Sequence, residues 1–508
     1  MRTPQFLRHA AVYSFGTLVL NTCGFFLLPL YIRCLPPAVY GTWEWLRTVG
    51  DIVLILLLFG GLKQALLTYH GQSRTQAERR RVVGSALILG LAVVLSGGCV
   101  ALFAGPQIGA ALKFTTPALL EWTVMVMLLE ATSGLLMTCC QARLESGLFM
   151  AVTVGQFFVR VALSITFVAW FGWGIHGLLA AAGITAGSTT LLLLVREGML
   201  GGLWPDRRTL GAMTWFALPF VPGGLGFLLL HNGDRFFLMK YADAAALGLY
   251  ALGYKLAFSV GQFSRSPLYM VWNTQMHHAA FREDAPEVFG RAFTRILAAY
   301  LAVGLGLCLL ADEVAILFSA EYAGAAPIIP VVVLAYYCLT AADLMDSGFY
   351  VSRRTVWKTP ITLTSTAVMV TLYALLIPEH GARGAAVATL GGFAFHAGLT
   401  WFVTQRVFPV RYEWRRTLAA LSLAIGVWFV SRLIPSGPQS LLLKAALWPA
   451  WVLILWCTGL VTRDEKMQAR ETTAAAIHWL RNRPSRRYVP VREIPELIEE
   501  LPAEEVTA

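Results

Sequence analysis

Charge is what this 508-residue chain has least of. Asp, Glu, Lys and Arg make up 14% of it, where a soluble domain carries about 25%. That shortage excludes one large water-soluble domain, and it excludes a disordered chain, which depends on charge to stay solvated. Acid is scarcer still: 29 Asp plus Glu stand against 40 Lys plus Arg, a net charge of +11. The signatures of common catalytic sites are missing as well. There is no G-x-S-x-G, no P-loop and no H-E-x-x-H, so no nucleophile elbow, phosphate cradle or zinc-peptidase site is expected. The eight cysteines include no C-x-x-C pair and no His/Cys ligand spacing. They read as small buried apolar residues, and neither a metal nor a cofactor is expected. Basic residues interleaved with aromatics are absent, which argues against nucleic acid as a partner.

What is present is apolar length. The hydrophobic set makes up 57% of the chain and the mean hydropathy is +0.63. A bilayer core about 30 Å thick takes about 20 apolar residues as helix, and the sequence holds fourteen such stretches. The first is Ala10–Tyr31, the second Trp45–Thr68, the seventh Gly211–Asn232 and the last Leu441–Val461. The expected fold class is therefore all-α: a polytopic membrane protein with about fourteen transmembrane helices. With the N-terminus inside, twenty Lys and Arg fall in inner segments and seven in outer loops, the asymmetry of the positive-inside rule. Both termini are then cytoplasmic. The outer loops are short, which leaves no room there for a catalytic domain.

Two turns repeat at one offset. Tyr31-Ile-Arg33 through Gly41-Thr-Trp43 corresponds to Leu238-Met-Lys240 through Gly248-Leu-Tyr250, and Gly174-Ile-His-Gly177 corresponds to Gly381-Ala-Arg-Gly384. Both matches lie 207 residues apart, with six spans between. An even number of spans keeps the two halves in the same orientation, so the repeat is a parallel one, of the sort found in transporters whose halves move about a central site. The organisation expected is a six-helix bundle over 1–200, a second over 201–410, two added helices over 411–461 and a cytoplasmic tail over 462–508.

Five cations are left inside spans. A charge near the bilayer centre costs at least about 2.5–3.5 kcal/mol on insertion scales, so each should face protein or a water-filled cavity. Glu44, Arg47 and Asp51 lie three and four residues apart on one face of the second span, either as a polar stripe on a cavity or as a ladder that neutralises itself. Arg160 sits one turn from Gln156 in the fifth span; Lys255 and Arg265 in the eighth have no carboxylate one turn away. Such cations need a carboxylate from another helix or an anionic ligand. Arg47, Arg160, Lys255 and Arg265 are the candidate substrate-binding residues. Glu44, Asp51 and Glu130 are candidate coupling or cavity carboxylates. Asp234 and Arg235, at the outer end of the seventh span, either cap and pair with each other or gate the outer mouth.

Several short pieces resemble bacterial polysaccharide flippases of the multidrug/oligosaccharidyl-lipid/polysaccharide exporter superfamily: Leu28-Pro29-Leu30 leading to Tyr40-Gly41, Leu218-Pro219, Asp234-Arg235, Gly248-Leu-Tyr250, Tyr254, Leu317-Phe-Ser-Ala-Glu-Tyr322, and Leu375-Leu-Ile-Pro378 running to Gly384. Their order and spacing extend over roughly residues 8–461. The resemblance implies two six-helix bundles around a central cavity, working by alternating access, and no enzyme. It implies an undecaprenyl-diphosphate-linked oligosaccharide moved from the cytoplasmic to the periplasmic leaflet of the inner membrane, in polysaccharide or lipopolysaccharide (O-antigen) biosynthesis. Membrane lipids and the polymerase or glycosyltransferases of that pathway would be its partners. A multidrug antiporter or cell-wall precursor flippase of the same superfamily is the near alternative. A membrane glycan polymerase or ligase is the alternative from another class, and a scaffold without a cavity is the residual one.

Overall fold

A computed structural model describes residues 27–57, 59–111, 117–200, 204–434 and 438–458, together with Met467. Every element among these residues is helical. In chain order the α-helices are α1 (27–34), α2 (Pro37–Leu56), α3 (Phe59–Gln72), α4 (Gln76–Ala111), α5 (Pro117–Ala142), α6 (Ser146–Ser164), α7 (Gly174–Met199), α8 (Arg207–Ala217), α9 (Phe220–Tyr241), α10 (Ala244–Ala279), α11 (Ala285–Leu309), α12 (Ala311–Phe318), α13 (Ile328–Met345), α14 (Ser347–Val351), α15 (Lys358–Val407), α16 (Trp414–Arg432) and α17 (Pro438–Cys457), with a π-helix at Ile165–Trp170 and short 3-10 helices at Ala320–Ala325 and Thr355–Trp357. The chain divides into a main body, Met1–Val452, and a terminal segment, Leu453–Ala508. The expected cytoplasmic tail and most of the first span lie outside the described residues.

The pattern of burial is that of a protein dissolved in lipid. Phe103, Trp170, Leu191 and Phe429 are exposed on the outside, while Glu44, Glu197 and Asp234 are buried within the helix packing. A surface with so many large apolar side chains in the open is stable only against lipid or another apolar phase. Nine helices among the described residues are long and apolar enough to cross a membrane, ten when the bent pair α2 and α3 is counted as one. The chain is a multi-pass membrane protein. Fourteen passes would further require the first stretch, the less apolar or shorter α16 and α17, and a separate count for each of the two arms of α15.

Two expected spans, the second and the seventh, have a different shape. The second is broken: α2 ends at Leu56, and α3 leaves it at 45°. The seventh does not end at Asn232, because α9 continues to Tyr241. The eleventh and twelfth are the two arms of α15, folded back at Gly381, whose φ of 53° and ψ of −129° interrupt the helix. The arms run antiparallel: His396 Nδ1 lies 2.9 Å from Ser365 Oγ and Tyr373 Oη 3.3 Å from Thr389 Oγ1. Gly174, the residue corresponding to Gly381 in the first half, has a φ of 54°. Both turns therefore use the left-handed backbone region that glycine adopts without a Cβ clash.

α2 and α10 cross at Gly41 and Gly248. α5 packs against α2, α4, α6 and α7; α13 packs against α10, α11 and α15. At the outer edge α16 lies on α11. Lys444 of α17 donates to Glu313 Oε1 at 2.7 Å, and Arg432 of α16 pairs with Asp312.

Candidate functional site

A cavity of about 670 Å³ is walled by α1, α2, α3, α5, α6 and α7, with one side chain, Lys255, entering from α10. Four cations line it, Arg47, Lys63, Arg160 and Lys255, and one carboxylate, Glu130.

The cations differ in their partners. Arg160 Nη1 donates to Glu130 Oε1 at 2.7 Å, so the partner of Arg160 comes from another helix; Gln156, one turn away, donates instead to Thr189 Oγ1 at 3.0 Å. Lys255 Nζ donates to Glu44 Oε1 at 2.5 Å, and its ammonium lies 5.2 Å from the centre of the Tyr40 ring. Arg47 has no carboxylate within 4 Å among the described residues; its guanidinium lies 5.8 Å from the Trp43 ring centre. Lys63 likewise has no hydrogen-bond or ion-pair partner among the described residues. Its ammonium sits over Gly134, where a Cβ would come within 2.7 Å of Nζ. The missing side chain at position 134 is the space that Lys63 occupies.

The Glu44–Arg47–Asp51 face does not close into a ladder of direct ion pairs. Glu44 is buried and turns to the second half of the chain, reaching Lys255 and, at 3.8 Å, Arg235. Asp51 does not line the cavity. Nor does Arg265, whose guanidinium pairs with Asp343 of α13.

Asp234 and Arg235 are not at a helix end. They are buried inside α9, where the Tyr250 hydroxyl donates to Asp234 Oδ2 at 2.6 Å and Tyr250 Oη is 3.1 Å from Thr389 Oγ1. Arg235 also contacts the Tyr254 ring, 5.3 Å from its centre. Helix α9 is thereby tied by polar contacts to α2 and α10, and α10 in turn to α15 through Tyr250 and Thr389. The repeat does not extend to these charges: at the offset of 207, Asp234 and Arg235 correspond to Leu27 and Leu28, and Lys255 corresponds to Thr48.

Lys63 is the cavity residue that the sequence reading passed over. Its signal was present: it is the fifth cation within the expected spans. What hid its place was the break between α2 and α3, which turns the second half of that span toward α5.

The structure is thus a multi-pass helical body with a cavity walled mainly by its first half. The chain belongs to the polysaccharide biosynthesis protein family, whose model matches residues 6–272. No curated protein sequence matches it. Among solved structures it is similar to the lipid II flippase MurJ in an inward closed conformation, at a TM-score of 0.68 and 11% identity over 90% of this chain and 99% of that one. It is also similar to an inward-facing multidrug resistance MATE family transporter, at a TM-score of 0.61 and 14% identity over 76% and 93%. A third is a MOP superfamily transporter from Pyrococcus furiosus, described as having a binding pocket of reverse polarity that suggests a different function. It aligns at a TM-score of 0.52 and 13% identity over 78% and 95%. At these identities the likeness is one of fold.

Proposed function

We propose that this chain is a flippase for an undecaprenyl-diphosphate-linked oligosaccharide, carrying the head group from the cytoplasmic to the periplasmic leaflet of the inner membrane by alternating access, with both its termini cytoplasmic. The observation that carries the reading is the cavity's charge: four cations against one carboxylate, with Lys63 held by no carboxylate among the described residues and Arg47 in no direct ion pair, though within the field of Glu130, Asp51 and Glu44. A cavity walled by protein and lipid has a low dielectric, where an unpaired cation attracts an anion far more strongly than in water. A diphosphate is a dense anion, and guanidinium and ammonium groups are its natural partners. Arg160 and Lys255, already held by carboxylates, serve as further contacts that exchange partners when the anion enters. Membership in a polysaccharide biosynthesis family supports the same substrate class. A multidrug antiporter would carry organic cations, which this excess of positive charge repels.

The test is flipping in proteoliposomes, using a fluorescent undecaprenyl-diphosphate saccharide read by quenching at the outer leaflet. Arg47→Ala with Lys63→Ala should slow flipping by at least about tenfold while the protein still inserts and keeps its thermal midpoint. Unchanged flipping in this variant would remove the assignment. Uptake of a cationic dye by the wild-type protein, without lipid flipping, would turn the reading to the antiporter.

A further inference from the structure

A second pocket, of about 400 Å³, shares no lining residue with the cavity above. It lies in the seam between α3 and α4, which precede the boundary expected between the two bundles, and α8, which follows it. The seam is tightly built. A Cβ on Gly84 of α4 would lie 2.7 Å from the backbone nitrogen and oxygen of Trp204, and one on Gly61 of α3 would lie 2.6 Å from the carbonyl oxygen of Ala217. The Asp206 N–H donates to Ser85 Oγ at 3.1 Å, and the Tyr69 hydroxyl donates to the Ala212 carbonyl at 3.4 Å.

Four charged side chains line this pocket: Arg81, Arg208, Glu78 and Asp206. No ion pair within 4 Å joins either guanidinium to either carboxylate, because both carboxylates are held by backbone. Thr75 and Glu78 form a capping box at the start of α4: Glu78 Oε2 accepts from the N–H groups of Arg74 and Thr75 at 2.8 and 3.3 Å, and Thr75 Oγ1 accepts from the Glu78 N–H at 3.2 Å. Asp206 caps α8, its Oδ2 accepting from the Thr209 N–H at 3.0 Å and the Thr209 hydroxyl at 2.8 Å. Asp206 stays within the field of Arg81 without reaching it. Glu78 Oε1 and Asp206 Oδ1 take no part in these caps. The pocket therefore presents two fixed anions and two exposed guanidiniums, with no net charge.

A bare phosphate entering here meets two carboxylates as well as two guanidiniums, and a bare ammonium meets the reverse. A group carrying both charges satisfies all four side chains. The surroundings say where such a group comes from. Met199, Trp204, Trp215 and Leu218 are exposed beside the pocket, an apolar surface that stands in lipid. Arg74, Arg79, Arg80 and Arg207 gather at the same end, as they do at headgroup depth. We propose that this pocket binds the head group of a phospholipid of the phosphoethanolamine type, its phosphate on Arg81 and Arg208 and its primary ammonium on Glu78 and Asp206. Both contacts are charge-assisted hydrogen bonds. In the orientation proposed above the lipid belongs to the cytoplasmic leaflet; the site itself does not depend on what the protein carries. Because α3 and α4 supply one side of the pocket and α8 the other, the bound head group bridges the seam and favours its closed form.

The full chain, delipidated in detergent, tests this by native mass spectrometry of retained lipid. The probes are phosphatidylethanolamine, phosphatidylcholine and phosphatidylglycerol of one acyl composition. Phosphatidylethanolamine should be held about tenfold more tightly than either of the others, since a choline has no N–H to donate and a glycerol has no positive charge. It should also raise the thermal midpoint. Glu78→Gln with Asp206→Asn, which keeps both helix caps, should bring the preference over phosphatidylcholine to within about twofold. Arg81→Gln with Arg208→Gln should weaken all three lipids about tenfold. Arg207→Gln, a loss of one cation outside the pocket, should change neither affinity nor preference. Equal retention of phosphatidylethanolamine and phosphatidylcholine overturns the site. Retention of phosphatidylglycerol as tight as that of phosphatidylethanolamine, or an effect of Arg207→Gln equal to that of the pocket arginines, reduces it to a basic surface and overturns it too. Soluble glycerophosphoethanolamine binding as tightly as the lipid overturns the bilayer as its source.

Discussion

Gly41 and Gly248 face each other's helices where α2 crosses α10, and the contact is reciprocal. A Cβ on Gly41 would lie 1.8 Å from the carbonyl oxygen of Ala244, and one on Gly248 would lie 2.0 Å from that of Pro37. Pro37 and Ala244 are themselves 207 residues apart, the same offset as the two glycines. Residue i of one half therefore meets residue j of the other while j meets i, as in an isologous contact about a two-fold axis. The repeat is built into the packing of the two halves as well as into their sequences.

This closeness sets the first expectation. Gly41→Ala or Gly248→Ala forces backbone against backbone, which no rotamer change relieves. Each should cost about 1–3 kcal/mol or more, the range for overpacking. Thermal unfolding in detergent should report it as a clear drop in midpoint. Gly155→Ala on α6, where a Cβ meets nothing within 4 Å, is the control and should be neutral or slightly stabilising. Equal behaviour of the three variants would mean that the crossing is looser than described.

The turn at Gly381 gives a second expectation of a different physical kind. Its Cβ would meet nothing within 4 Å, yet its φ is +53° and ψ −129°. Gly381→Ala should therefore cost about 1–3 kcal/mol through backbone strain alone. Gly174→Ala, at the corresponding turn, should cost a similar amount. A deletion of nearby side-chain bulk, such as Leu376→Ala, should not rescue Gly381→Ala. Rescue would show that the cost was steric.

Glu44 is the carboxylate shared between the halves. Glu44→Gln leaves Lys255 and Arg235 with one anion fewer between them. Losing one member of a sealed ion pair costs about 3–5 kcal/mol; here the side chain of Lys255 is 34% exposed, so the loss should fall at or below the low end. Adding Lys255→Met to Glu44→Gln should restore most of the stability, and a thermodynamic cycle in detergent measures the coupling. Additive losses would mean that the two groups do not depend on each other.

At the outer edge, Lys444 is buried between Asp312, at 3.7 Å, and Glu313, at 2.7 Å. Lys444→Met should loosen α17 from α12 and lower the unfolding midpoint. Lys444→Met with Glu313→Gln should recover it, since removing both members of the pair leaves no stranded charge. Hydrogen exchange confined to α16 and α17 in the single variant would locate the effect; exchange spread through the whole bundle would contradict it.

Much of this architecture was legible in the sequence because the bilayer imposes it locally. A run of about twenty apolar residues must satisfy its own backbone in lipid, and helix is how it does so. The turns at Gly174 and Gly381 were equally readable, since the left-handed backbone they need is a property of single residues. The partners of the charges were not readable. Arg160 and Glu130 are 30 residues apart and Lys255 and Glu44 are 211 apart, so no helical periodicity could join them. Arg265 and Asp343 are separated in the same way. The extension of α9 to Tyr241 was hidden because Asp234 and Arg235 read as the polar end of a span, although in the fold they are buried at the meeting of α9, α2 and α10.

The sequence by itself determined that this chain lives in a membrane as helices, that its two halves repeat, and that a few cations must be accommodated at depth. These follow from the cost of bare backbone and bare charge in lipid, which acts on each segment separately. Only the tertiary structure decided which cations are held in direct ion pairs by carboxylates and which, Arg47 and Lys63, line the cavity without such a pair. That depends on which helices touch, and helix contact is decided by small residues such as Gly41, Gly134 and Gly248, whose lack of a side chain lets a distant part of the chain come close.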